Sequence, residues 1–210
     1  MIKKNLKIII ITALLNLLPM IAGIILWDKL PDVIPTHFNL AGEPDGFSSK
    51  AFTVFGIFGI MFAAHILCVI VTSLDPKNKN IDAKPLALVL WSLPAISEVT
   101  GVVIYASALG YSIDASVVMP VFMGILFIII GNYLPKCRQN YTIGIKIPWT
   151  LNDEENWNKT HRFAGKLWVI CGIATLISSL VGMPWILFIL IGVMIMLPII
   201  YSYTIYRKNQ

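Results

Sequence analysis

The fold class predicted by this 210-residue sequence is all-α: a polytopic membrane protein with six transmembrane helices. Three observations carry the prediction. Hydrophobic residues make up 57% of the chain and charged residues 13%, too few charges to cover the apolar surface of a water-soluble domain. Six apolar stretches are long enough, or nearly so, to cross a hydrocarbon core of about 30 Å, which takes roughly 20 helical residues. Finally, the Lys and Arg residues fall almost entirely on one side of those stretches, as topology requires.

The stretches are residues 6–27, 52–74, 85–109, 116–134, 167–181 and 184–206, the fifth being the shortest. Lys3, Lys4 and Lys7 precede the first, and Lys77, Lys79 and Lys84 separate the second from the third. Lys136, Arg138, Lys146, Lys159, Arg162 and Lys166 lie between the fourth and fifth, and Arg207 and Lys208 end the sixth. Only Lys29 and Lys50 of the 16 basic residues fall on the other side. Both termini are therefore expected in the cytoplasm, and the net positive charge is topology rather than a nucleic-acid signal. The first apolar run is too long for a cleaved signal peptide and is read as a retained helix. The cysteines Cys68, Cys137 and Cys171 form no pairing framework and no C-x-x-C knuckle, so neither disulfide nor metal nor cofactor is expected.

Between the first two helices, residues 28–51 exceed a simple connection. Val33 to Leu40 reads as a strand-like piece and Glu43-Pro44-Asp45-Gly46 as a turn, which predicts a small hairpin or cap on the outer face. His37, Asn39, Glu43 and Asp45 form a candidate outer partner-binding group; their spacing matches no metal-ligand pattern.

Asn16, His65 and Glu98 fall near mid-helix, at depths that differ by only about 6 Å at 1.5 Å per residue. Polar groups at that depth need partners, which predicts an intramembrane cluster acting either as interhelical glue or as a proton or ion relay. Pro94, one turn before Glu98, predicts a kink beside the carboxyl.

The polar run GNYLPKCRQNYTIGIKIPWTLNDEENWNKTHRFAGK, residues 131–166, separates the fourth and fifth helices. Pro148-Trp149-Thr150 breaks regular structure, and Asn152 with Glu155 predicts a capped helix starting near Asp153. Trp157, His161, Ala164 and Trp168 recur on one face of it. We expect this helix to lie along the cytoplasmic interface, anchored by Trp149 and Trp157, and to turn into the fifth span near Gly165. His161 and Arg162 have no evident structural task; they are read as phosphate contacts or as docking residues. No catalytic motif is present, and an enzyme is not expected.

The outer run LPDVIPTHFNLAGEPDGFSSK resembles the signature of a domain of unknown function found in bacterial membrane proteins, and the inner run resembles the hallmark of the SdpI immunity protein family. The resemblance implies two regions: residues 1–110, a three-helix membrane region with cap loop 28–51, and residues 111–210, an SdpI-like region with cytoplasmic loop 135–166. It also implies immunity to an exported peptide toxin, with signalling through a cytoplasmic repressor held at the membrane. By resemblance the characteristic positions are Asn132, Pro135, Asn140, Gly144, Ile145, Pro148, Trp149, Thr150, Trp157, Arg162 and Lys166, to which Lys146 and His161 are added as candidate cytoplasmic motif residues. The family's frequent Arg-Thr-Pro-Trp-Thr stands here as Lys146-Ile147-Pro148-Trp149-Thr150, which keeps a charge and loses the guanidinium fork. The partners implied are the lipid bilayer, an extracellular peptide toxin and a repressor protein, with no direct nucleic acid. The alternatives are a small proton-coupled transporter or a passive membrane scaffold.

Overall fold

A computed structural model of the chain describes residues 2–208. Six helices have the length and apolar character to cross a membrane: Lys4–Ile25, Phe52–Ser73, Ala83–Ala108, Ala115–Lys136, Glu154–Leu180 and Ile186–Lys208. They are called the first to sixth spans. All but the fifth agree with the predicted stretches to within two residues at each end. Their outward faces carry Ile25, Ile60 and Leu180 at 63–76% exposure, a surface suited to hydrocarbon.

The fifth span, expected to be the shortest, is the longest at 27 residues. The helix expected to lie in the interface and turn at Gly165 continues unbroken into it. Gly165 serves contact, not bending: a Cβ there would lie 2.7 Å from the Gly131 carbonyl oxygen and 2.7 Å from Pro135 Cγ. The cap is Asp153, whose side chain accepts from the N–H groups of Glu155 and Asn156, while Asn152 closes a separate short helix, Pro148–Asn152. One carboxylate satisfies two of the orphan N–H groups and adds a favourable charge at the dipole's positive end.

The first span is interrupted. Helices Ile2–Asn16 and Leu18–Ile25 meet at Leu17 because Pro19 has no N–H to give the carbonyl of Leu15. The second span opens with a π-helical turn, Phe52–Ile57.

The hairpin is present as β1 (Val33–Phe38) and β2 (Pro44–Ser49), antiparallel, with Val33 opposite Ser49 and Pro35 opposite Phe47. Its reversal lies earlier than expected. Asn39 Oδ1 accepts from the N–H groups of Ala41 and Glu43, Gly42 takes φ 79°, and Pro44-Asp45-Gly46 belongs to β2. The Asn side chain mimics a backbone turn, and Gly42 supplies the left-handed residue next to it.

The chain folds as two compact units. One holds Ile2–Ile70 with Leu90–Met119, and its core is Leu30, Ile34, Val54, Phe58, Ile104 and Tyr105. Gly23 lets this core close, since a Cβ would meet Val54 at 2.8 Å. The other holds Val71–Val89 and the chain from Pro120 onward, with Phe127, Cys171 and Met194 at its centre.

Candidate functional site

The loop before the fifth span is a solid polar structure. Asn140, 1% exposed, uses its whole amide: Oδ1 accepts from the N–H groups of Thr142 and Ile143, and Nδ2 donates to the carbonyls of Arg138 and Ile143. Gly144 follows at φ 123°. The next N–H, of Ile145, donates to His161 Nε2 at 2.9 Å, and His161 Nδ1 donates to the Trp157 carbonyl at 2.8 Å. These two bonds assign the neutral tautomer with the proton on Nδ1. The imidazole stacks on the Trp157 ring, 4.1 Å between centroids at 23°, and Trp157 Nε1 donates to the Cys137 carbonyl at 2.7 Å.

His161 is therefore a buried loop clasp, 1% exposed, and not a phosphate contact. Trp157, at 0% exposure, is a core residue and not an interfacial anchor. The predicted face of Trp157, His161 and Ala164 is real, but the loop covers it. Thr150 is fully buried too; its Oγ1 accepts from the Ile147 N–H and donates to the Ile145 carbonyl at 2.8 Å. Pro148 stands in the first turn of its short helix, where no N–H is needed. Trp149 packs against Tyr203 and Tyr206 of the sixth span at 5.5 and 6.0 Å.

Several residues that sequence reasoning missed complete this knot. Asp75, 4% exposed, accepts from the N–H groups of Lys77 and Tyr141 and from Thr142 Oγ1, so one carboxylate joins two loops. Lys77 Nζ donates to Gln139 Oε1 at 2.6 Å, and Gln139 Nε2 donates to the carbonyls of Thr150 and Leu151. Asn156, fully buried, ties the fifth span to the sixth by donating to the Ser202 carbonyl and accepting from Ser202 Oγ. The available signal for Asp75 is its place in Leu74-Asp75-Pro76, an acidic residue directly after an apolar run.

The remaining motif residues stay on the surface. Lys146 is exposed and donates to the Thr142 carbonyl, while Arg162 and Lys166 project one turn apart on the fifth span. Asn132 is exposed and donates to the Ile128 carbonyl; it lines a groove of about 430 Å³ with Gly131, Pro135 and Lys166. Cys137 lies under the loop, its thiol pKa pushed up to about 11 by burial and secondarily by Asp82.

The intramembrane residues are arranged differently from the expected cluster. His65 pairs with Thr12, Nε2 to Oγ1 at 3.2 Å, and not with Asn16 or Glu98. Thr12 spends its own proton on the Ile8 carbonyl, so His65 Nε2–H is the donor and Nδ1 is left an acceptor without a partner. Both amide atoms of Asn16, Ser97 Oγ and Glu98 Oε1 are buried and likewise unpartnered. Gly101 packs on Pro19, where a Cβ would sit 2.8 Å from Pro19 Cβ. The first and third spans run the same way in a six-span alternation. Asn16 and Glu98 each stand three residues before that contact, which puts them at one level to within about 2 Å. They share a depth without a hydrogen bond between them. The helix around Pro94 remains continuous from Ala83 to Ala108.

In the hairpin, the four candidates resolve into two pairs. His37 Nδ1 lies 2.5 Å from Asp45 Oδ1, and Asn39 Nδ2 donates to Glu43 Oε2 at 3.2 Å. Among the described residues no group of three or more metal-ligating side chains converges.

Six apolar spans, a small extramembrane hairpin and a buried polar knot ahead of the fifth span define a multi-pass helical membrane protein. The chain is 31% identical over 210 residues to Immunity protein SdpI of Bacillus subtilis (strain 168), covering 98% of this chain and 97% of that one. It belongs to the SdpI/YfhL protein family, whose model matches residues 136–202; a second model, Domain of unknown function (DUF1648), matches residues 14–62. No solved structure matches it. The SdpI/YfhL match spans the part of the knot from Cys137 onward, and the DUF1648 match spans Asn16 and the hairpin.

Proposed function

We propose that this protein protects the membrane carrying it against an exported peptide toxin. The observation that supports this most strongly is similarity along nearly its whole length to an immunity protein, including the polar knot and the hairpin. In this reading the termini and the loop of Asn140 and Gly144 are cytoplasmic, as the Lys and Arg distribution favours, and the hairpin faces outward. Residues 1–110 and 111–210 act as the two functional regions, each containing one of the family matches. Binding or exclusion of the toxin suffices for this reading, which assigns no catalytic role.

The hairpin, with Asp45 and Glu43 among its exposed groups, is the part that meets the toxin from outside. The exposed cations Lys146, Arg162 and Lys166 are the group available to a cytoplasmic repressor, which extends the reading from protection to sensing. The test is a deletion strain challenged with each secreted peptide encoded near the gene. Sensitivity to one of them, reversed by the restored protein, is the expected result; equal survival of both strains against all of them would remove the immunity reading.

A further inference from the structure

Along the outside of one compact unit runs a groove of about 480 Å³ between the second half of the first span and the third span. Its walls are apolar, with Leu18 and Ile25 on one side and Val102 and Leu109 on the other. Two small residues, Gly101 and Ala106, are among those that line it. Glu98 lines the groove and is the only charged residue to do so. Its carboxylate makes no ion pair among the described residues, and Oε1 is buried without a hydrogen bond.

Depth decides what can pair with it. Glu98 lies ten residues before the end of its span at Ala108, about 15 Å at 1.5 Å per residue, close to the middle of a hydrocarbon core of about 30 Å. A carboxyl there is costly without a partner. Lipid head groups carry their amines at the interface, too far away. A second copy of this chain supplies no cation at that level: its deepest exposed one, Lys166, stands 14 residues before the end of its span at Leu180, about 21 Å at 1.5 Å per residue and so about one helical turn from the level of Glu98, and His65 is fully buried. What remains is a cation carried to mid-depth by another membrane-inserted chain.

We propose that this groove docks an apolar peptide helix lying in the membrane and carrying one Lys or Arg side chain at mid-depth, whose charge pairs with Glu98. The small lining residues let a helix approach closely, and the attraction between the paired charges offsets part of their desolvation cost. The site is independent of the immunity reading, since its test uses a synthetic peptide and no toxin.

The full chain is reconstituted in phosphatidylcholine vesicles, and energy transfer to labelled Leu/Ala peptides of about 20 residues is titrated. Three peptides are compared: one with a central Lys, one with a central Leu, and one with the Lys moved a turn and a half from the centre. The central-Lys peptide binds at least about tenfold more tightly than the other two. Glu98→Asp retains that preference, Glu98→Gln abolishes it, and Val102→Trp weakens every peptide by narrowing the groove. Equal binding of the three peptides to the unmodified protein overturns the proposal, without reliance on any variant. So does a preference that survives in Glu98→Gln.

Discussion

His161 Nε2 accepts the N–H of Ile145 at 2.9 Å, across 16 residues and from the helix that carries the fifth span. Together with the bond from Trp157 Nε1 to the Cys137 carbonyl, it holds a loop with little regular structure against a rigid helix. Replacing His161 with Leu keeps the volume roughly and strands a part-buried N–H, which costs about 1–3 kcal/mol. We expect a lower melting temperature in detergent, and faster hydrogen exchange at the Ile145 amide than at amides of the sixth span.

Gly144 and Gly182 both have positive φ, 123° and 75°, yet alanine should affect them unequally. At Gly182 nothing lies within 4 Å of the added Cβ, so only the backbone term of about 1–2 kcal/mol applies. At Gly144 the Cβ would also lie 2.4 Å from His161 Nε2 and 3.0 Å from the Trp157 ring. Gly144→Ala is therefore expected to disrupt the stacked pair, seen as a larger loss of thermal stability and a changed Trp fluorescence.

Asp75 gives a third test. Its carboxylate collects two backbone N–H groups and the Thr142 hydroxyl. Asp75→Ala leaves these donors without their acceptor, for about 1–3 kcal/mol or more, whereas Asp75→Glu keeps the charge and shifts its position. The order of thermal stability should be native, then Glu, then Ala, with proteolysis of Ala beginning in the loop around Tyr141.

Much of the fold is legible in the sequence because hydrocarbon thickness and charge asymmetry constrain a membrane chain so strongly. Hydropathy understates the fifth span for a specific reason. Its first three turns carry Glu154, Glu155, Lys159 and Arg162, so the apolar run begins only at Leu167 while the hydrogen-bonded helix begins at Glu154. The hairpin turn is misplaced by sequence because Pro44 and Gly46 read as a stronger turn than Asn39, whose power lies in its side chain. The knot is visible as a motif, but its logic is not: Trp157 and His161 look like surface groups on an amphipathic helix, and only tertiary closure by Asn140 and Asp75 buries them. Depth counting groups Asn16, His65 and Glu98 at similar heights, and cannot show that His65 would choose Thr12.

Orientation and burial can be read together by thiol labelling. Burial and Asp82 raise the Cys137 pKa to about 11, so at pH 8 the thiol stays protonated, and the reactive thiolate grows only as pH climbs toward that value. In a chain lacking Cys68 and Cys171, Cys137 should react with maleimide at least about tenfold more slowly than a cysteine placed at exposed position 138 by Arg138→Cys. In intact cells Phe47→Cys on the hairpin should label with an impermeant reagent, and Arg138→Cys only after lysis.

The immunity claim meets its most direct test in a sensitive bacterial host that lacks any relative of this protein. Dose–survival curves are measured for the secreted peptides encoded beside its gene, with the protein expressed and with an empty vector. The account predicts that expression of the native chain moves the lethal dose of one such peptide upward by at least about tenfold, a 1.4 kcal/mol equivalent, and that Gly144→Ala loses the protection. Superimposable curves for every peptide, with the protein verified in the membrane, would contradict it.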